Sequence, residues 1–327
     1  MKNKQVESIR GIIMVMIMFY HYTYRFTELY NINTINFFSL DNWGTIGVNT
    51  FFIISGYYML SKDTLQYNAK EFFIKKFFRL YPAYVLCLTI TFISMLIFGL
   101  ENRTVTFIDY IINLFMVNGF IGIPYVDGGH WYLTYLILFY VIVSLAIYFK
   151  MEKRKFIICW IICNTTLLIS SHFFSVLSHI YKVTGGQYAI FIIMGIILRE
   201  LIDRNKNKKI NILILSLAFI ENLILNNIIA TIGIIIFILC FVLVLKKEIN
   251  ILKNQLLTAL GTISYIVYLL HQNIGYQILL CLNNIYKQYN LLFTICPIII
   301  IIAMSIIIYQ YYERAIQRKL QSQKSHT

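Results

Sequence analysis

Ionisable side chains inside long apolar stretches are costly, so wherever this chain places one it marks a candidate site. Arg10 and His21 come first, eleven residues apart in an apolar stretch. At 100° per residue that spacing is three helical turns plus ~20°, so both project from one helix face with about 16 Å of axial rise between them. An arginine suits a phosphate through its planar fork of donors, and an imidazole suits general-base work near neutral pH. The separation fits the reach of an extended pantetheine arm, phosphates at one end and thioester at the other. The same pair also reads as a membrane-edge arginine and a histidine bonded to a neighbouring helix.

Four further groups carry candidate chemistry, each with a plainer alternative. His271 follows Tyr268 by three residues deep in an apolar segment, placed either to hold substrate or to bond another helix. His130 and Trp131 open a helix, where an aromatic belt at the membrane interface is the ordinary explanation. Ser55 sits among Gly44, Gly47 and Gly56, a composition that lets helices approach closely, so packing competes with an acyl-acceptor role. Lys76 and Arg79 stand one turn apart before Pro82, as a phosphate site or as an ordinary basic loop. His172 and His179 fall near an outer loop and read as solvated. The six cysteines lie in apolar segments without disulfide or zinc spacing and read as small packing residues. Nothing resembles a phosphate loop, a dinucleotide fingerprint or a metal site, and no metal is expected.

The elements that must position these residues are membrane helices. Apolar types make up 59% of 327 residues and charged types 13%, a balance displaced towards a lipid solvent. Runs such as 228–245 and 295–309 approach the ~20 apolar residues that cross a bilayer. The pattern predicts helices over 8–26, 44–61, 80–100, 130–149, 156–173, 187–203, 210–225, 227–245, 257–280 and 291–312. The first has no small-residue cleavage site behind it and reads as retained. Assigning loops alternately inside and outside puts 24 of the 28 basic residues on one side, leaving Arg25, Arg103, Lys182 and Lys287 on the other. That split is the positive-inside rule, so the net charge of +14 reads as topology rather than nucleic-acid binding, with both termini cytoplasmic. The expected fold is an all-α polytopic bundle of about ten transmembrane helices, a single domain over 1–327 with a short tail at 314–327. Residues 62–79, basic and aromatic, predict an amphipathic helix lying at the cytoplasmic interface. Residues 104–129 carry Asp109, Asn113, Asn118 and Asp127-Gly128-Gly129, and predict a half-helix or re-entrant element on the outer side.

These motifs, in this order, resemble the acyltransferase-3 family of membrane acyltransferases over nearly the whole chain. Ser8-Ile9-Arg10-Gly11 with His21 resembles the family's helix-1 arginine and histidine. The segment from Gly47-Val48 to Ser55-Gly56 is similar to its Gly-Val…Phe-Phe…Ser-Gly element, and Lys76–Pro82 to its Arg-x-x-Arg…Pro element. His130-Trp131-Tyr132-Leu133 is similar to its Trp-x-Leu helix start. Residues 263–272 resemble its Ser-x-x-x-Tyr-Leu-x-His element, and Tyr312-Glu313-Arg314 its closing acidic motif. Lys76 stands where arginine is usual, Asn49 where an acid is common and Ala315 where proline is expected.

The resemblance implies O-acylation from acyl-coenzyme A, by family habit acetyl-CoA, onto a lipid-linked sugar, surface polysaccharide or cell-wall glycan. It implies His21 and Arg10 as catalytic, Arg10, Lys76 and Arg79 on the coenzyme A phosphates, and Ser55, Trp131, Tyr268 and His271 towards substrate. Membrane lipids and envelope-biosynthesis proteins are the other candidate partners, in a multi-pass cell-membrane protein. Heavy use of Ile, Asn, Lys and Tyr points to an AT-rich bacterial genome. The competing reading is a glycan exporter or flippase without acyltransfer. A transporter would favour internal symmetry and broken helices in both halves, and neither is visible.

Overall fold

The computed structural model describes residues 3–32, 41–60, 68–101, 103–203, 208–247, 249–286 and 291–314. Among them are thirteen α-helices: α1 (Lys4–Tyr20), α2 (Phe26–Tyr30), α3 (Asp41–Tyr57), α4 (Ala69–Phe98), α5 (Phe107–Asn113), α6 (Trp131–Tyr148) and α7 (Lys153–Ser171), then α8 (Ser175–Val183), α9 (Gly186–Ile202), α10 (Lys208–Leu225), α11 (Ile228–Lys246), α12 (Gln255–Tyr286) and α13 (Leu291–Ile308). Among the described residues there is no strand. All ten segments expected to be helical are helical over most of their length.

Among the described residues five stretches are long and apolar enough to cross a membrane: Ala69–Phe98, Gly128–Tyr148, Lys153–Ser171, Ile228–Lys246 and Leu292–Glu313. A sixth results if α8 and α9, bent by 48° at their junction, form one broken span. Large apolar side chains such as Ile162, Ile169, Ile232, Ile236 and Leu239 stand exposed on these helices, where a lipid solvent accepts them. This is an all-helical, multi-pass membrane protein. Of the cysteines read as packing residues, Cys87 is buried, but Cys159, Cys163, Cys240 and Cys281 are exposed on that apolar surface.

Two compact units divide the chain. Unit 1 comprises 1–44, 78–131 and 249–327; unit 2 comprises 45–77 and 132–248. In unit 1, α1 lies along α12. The approach is close because Gly11 faces Gly261: a Cβ on Gly11 would stand 2.8 Å from the Gly261 nitrogen, and one on Gly261 would overlap the Glu7 carbonyl. Polar bonds tie α1 to the turn that leads into α12. Ser8 Oγ donates to the Leu252 carbonyl at 2.7 Å, and the Ile249 N–H donates to Gln5 Oε1 at 2.6 Å.

The segment expected to be a half-helix contains seven-residue α5, started by a Thr106–Asp109 capping box, and 3-10 turns at Asn118–Phe120 and Gly128–His130. Buried Asn113 ties it together, donating to the Asp109 and Pro124 carbonyls at 2.7 and 2.9 Å and accepting from the Val126 N–H at 3.2 Å.

The expected interfacial helix is not a separate element. Residues 61–67 lie outside the described residues, and 69–79 run without a break through Pro82 into one 30-residue helix, α4. Membrane helices tolerate an interior proline. At 1.5 Å per residue such a helix is about 45 Å long against a hydrocarbon layer of about 30 Å, longer than one crossing needs. The tail beyond residue 314 also lies outside the described residues.

In unit 2, α9 is buried almost throughout between Ala189 and Leu198. Gly56 of α3 packs directly on the Ile192 carbonyl, as the small-residue composition around Ser55 predicts. Lys153 of α7 pairs with buried Glu200 of α9 at 3.3 Å, and Asn164 donates to buried Glu221 of α10 at 2.8 Å.

Candidate active site

His21 begins a π-helical turn, His21–Arg25, that joins α1 to α2. Such bulges recur at functional sites because they re-aim a side chain at a small cost in backbone bonding. Its Nδ1 lies 2.9 Å from the Tyr276 hydroxyl on α12. The neighbouring Tyr22, fully buried, donates from its hydroxyl to the His271 carbonyl at 2.6 Å and so anchors the turn to α12. His21 as a whole residue is half-buried.

On α12, Tyr268, His271, Gln272, Gly275 and Tyr276 recur at i, i+3, i+4, i+7 and i+8, the stripe that a 3.6-residue period places on one face. The His271 and His21 rings meet edge to face with centroids 5.0 Å apart. His271 Nδ1 is 2.7 Å from the Tyr268 carbonyl. A carbonyl only accepts, so Nδ1 carries the proton and, in the neutral ring, Nε2 holds the lone pair. That Nε2 is buried and has no hydrogen-bond partner among the described residues. His130 mirrors this arrangement: its Nε2 donates to the Leu269 carbonyl at 3.0 Å, and its buried Nδ1 has no partner there.

The loop before α6 grips α12 at this level. Asp127, wholly buried, accepts from the Gly129 N–H at 2.8 Å and from the Asn273 N–H at 2.9 Å. The Leu269 carbonyl and the Asn273 N–H lie one turn apart on α12. Here His130 and Asp127 bond both from outside the helix. Asn273 Nδ2 also donates to the Val126 carbonyl at 2.7 Å, while its Oδ1 accepts from Arg103 at 2.6 Å. The Arg103 guanidinium lies 5.6 Å from the centroid of the Tyr276 ring.

The structure thus brings His21, His271 and Tyr268 together, Tyr268 donating from its hydroxyl to the Gly129 carbonyl. His130 is 1% exposed, so the interface-belt reading does not hold for it, while Trp131 is half-buried. Arg10 lies eleven residues before His21 on the same helical run, its guanidinium 3.2 Å from Glu7, a buried partner the sequence reading did not name. Arg79 is exposed on α4.

Ser55 and Lys76 belong to unit 2. Ser55 Oγ shares a hydrogen bond with the Tyr132 hydroxyl at 2.9 Å, a contact that serves packing of α3 on α6. Lys76 donates to the Tyr58 carbonyl at 3.1 Å and lies 5.7 Å from the ring centroids of both Phe72 and Tyr140. Sequence reasoning missed Tyr276, Tyr22 and Asn273 and read Arg103 only as a loop charge. The available signal was their polarity within or beside apolar helices. Among the described residues no cluster of three or more His, Cys, Asp or Glu could hold a metal ion.

A family model described as an acyltransferase domain matches residues 3–310. No curated protein and no solved structure matches the chain.

Proposed function

The chain belongs to the acyltransferase-3 family, and from that premise we propose that it moves an acetyl group from acetyl-CoA to a hydroxyl of a lipid-linked sugar, surface polysaccharide or cell-wall glycan. The observation that carries the proposal is the His21 ring held at Nδ1 by Tyr276 and faced by His271 on a family-matched α1. With Nδ1–H donated to the Tyr276 oxygen, Nε2 is the basic nitrogen. It takes the proton of the acceptor hydroxyl as that oxygen attacks the thioester carbonyl. The new C–O bond forms, the C–S bond breaks, and the imidazolium returns the proton to the departing thiolate. The coenzyme A phosphates fall to Arg10 and Arg79, with Lys76 a separate candidate phosphate contact. Trp131, Tyr268 and His271 border the acceptor, and Ser55 stays a weaker substrate candidate because Tyr132 occupies its hydroxyl.

The proposal includes about ten crossings of a bacterial cell membrane with both termini cytoplasmic, since this count is what sorts the basic residues to one side. The test is release of free coenzyme A from acetyl-CoA by the detergent-purified protein, with and without envelope glycans. Turnover that His21→Ala abolishes, with acetyl-CoA still bound, supports the reading. A protein that neither binds acetyl-CoA nor turns it over with any acceptor sinks it and leaves glycan export as the better account.

A further inference from the structure

Among the described residues Arg103 is a cation without a counter-charge, inside a built array. Among the described residues it has no Asp or Glu within ion-pair distance, whereas Arg25, also on the outer side by charge topology, pairs with Glu28. Its one assigned hydrogen bond, at 2.6 Å, goes to neutral Asn273 Oδ1, and a second anchor is the Tyr276 ring face. The nearest carboxylate along the bonded network, Asp127, is occupied: one oxygen accepts the Gly129 N–H and the other the Asn273 N–H. Asn273 itself cannot swing away, because its backbone N–H is held by Asp127 and its Nδ2 by Val126. Gly128 leaves room for the guanidinium, since a Cβ there would stand 2.5 Å from Arg103 Nη1. A half-buried guanidinium fixed so firmly and left without a counter-charge is costly unless a ligand supplies one.

We propose that Arg103, braced by Asn273 and Tyr276, is an anion-binding subsite for the acceptor, which therefore carries a carboxylate or phosphate on the sugar unit it presents to His21 or on the adjacent one. This rests on the acyltransfer reading for the word acceptor, but the subsite itself stands on geometry. The Tyr276 ring lies under the guanidinium and its hydroxyl touches His21, so one aromatic ring spans the distance from anion to base. Coenzyme A does not compete for this role, because its phosphates belong to the cytoplasmic end of α1, eleven residues from His21. Arg103 presents a fork suited to either anion.

The test is binding of glucose, glucuronate and glucose 1-phosphate to the full-length protein in detergent at low salt, read as ligand-induced shifts in thermal unfolding. Wild type is expected to be stabilised by an anionic sugar at concentrations where glucose does nothing. Stabilisation by glucuronate alone identifies a carboxylate acceptor, and by glucose 1-phosphate alone a phosphorylated one. Arg103→Gln, which can still donate to Asn273, is expected to weaken the anionic sugar by about tenfold or more, the worth of a charge-assisted bond. Arg103→Lys is expected to recover part of it.

If wild type does not distinguish anionic from neutral sugars, the subsite is refuted whether or not the variants fold. Equal binding by wild type and Arg103→Gln refutes it too. Acetyl-CoA turnover is measured on the same preparations. Turnover without anion discrimination overturns the subsite and leaves acyltransfer standing. Arg103-dependent anion binding without turnover does the reverse.

Discussion

Tyr276→Phe isolates one hydrogen bond in the proposed mechanism. The Tyr276 ring is wholly buried, with its centroid 5.8 Å from those of Phe26 and Tyr30 and 5.6 Å from the Arg103 guanidinium, and phenylalanine keeps all three contacts. Only the hydroxyl 2.9 Å from His21 Nδ1 is lost. Such a bond is worth about 0.5–1.5 kcal/mol net, which corresponds to about a 2- to 13-fold slower turnover if the bond acts only by holding the imidazole tautomer and angle. Removing the base itself, in His21→Ala, forfeits the whole general-base contribution of about 10²–10⁴. The assay is initial-rate coenzyme A release at saturating acetyl-CoA, with size-exclusion profile and acetyl-CoA binding measured on each variant. Tyr276→Phe should fall between wild type and His21→Ala and keep the wild-type KM for acetyl-CoA. A rate within twofold of wild type would mean that the hydroxyl does not orient the base. A rate as low as that of His21→Ala in a folded protein would mean that Tyr276 does more than position it. Either result refutes the reasoning.

Three other perturbations follow from the same geometry. His271→Asn removes the basic Nε2 while its amide can still donate to the Tyr268 carbonyl; coenzyme A release is expected to fall at least about tenfold with little change in Tm, and retained activity would assign His271 to packing. Asp127→Asn places an NH₂ group against one of two backbone N–H donors, so thermal unfolding in detergent should come earlier by the equivalent of about 1–3 kcal/mol, an unchanged Tm denying Asp127 its bracing role. Gly261→Ala drives a methyl into the Glu7 carbonyl, and the parting of α1 from α12 is expected to cost about 1–3 kcal/mol, read as a lower Tm and reduced turnover together.

How much of this was legible in the sequence depended on how local the signal is. The Arg10–His21 stripe could be read because helical phase is set by neighbouring residues, and the π turn begins only at His21, so the phase up to it is kept. Tyr276 could not be paired with His21, because 255 positions separate them and no periodicity links α1 to α12. Asp127 is in the same position, 146 residues from the Asn273 N–H it accepts. Its glycine-rich setting marked the segment as unusual but did not reveal what it gripped. The extended α4 went unread because Lys75, Lys76 and Arg79 look like the end of one element when Pro82 follows, although a membrane helix absorbs that proline.

Apolar length is the signal that finds spans most easily, and it does not find the two helices that carry the proposed site. Neither α1 nor α12 is among the five stretches apolar enough to qualify on length and composition. α1 runs into Tyr20 and His21, and α12 carries His271, Gln272, Asn273 and Gln277 mid-length. Each of those side chains lowers the apolarity of its helix, and His21, His271 and Asn273 are among the groups that build the proposed chemistry. A helix that only spans can be uniformly apolar, as α11 is from Ile228 to Leu245. A helix that also presents polar groups to a buried substrate cannot. The polar interruptions of α1 and α12 are thus the groups on which the proposed site rests, and the glycine-lined contact at Gly11 and Gly261 shows how the chain holds that pair together.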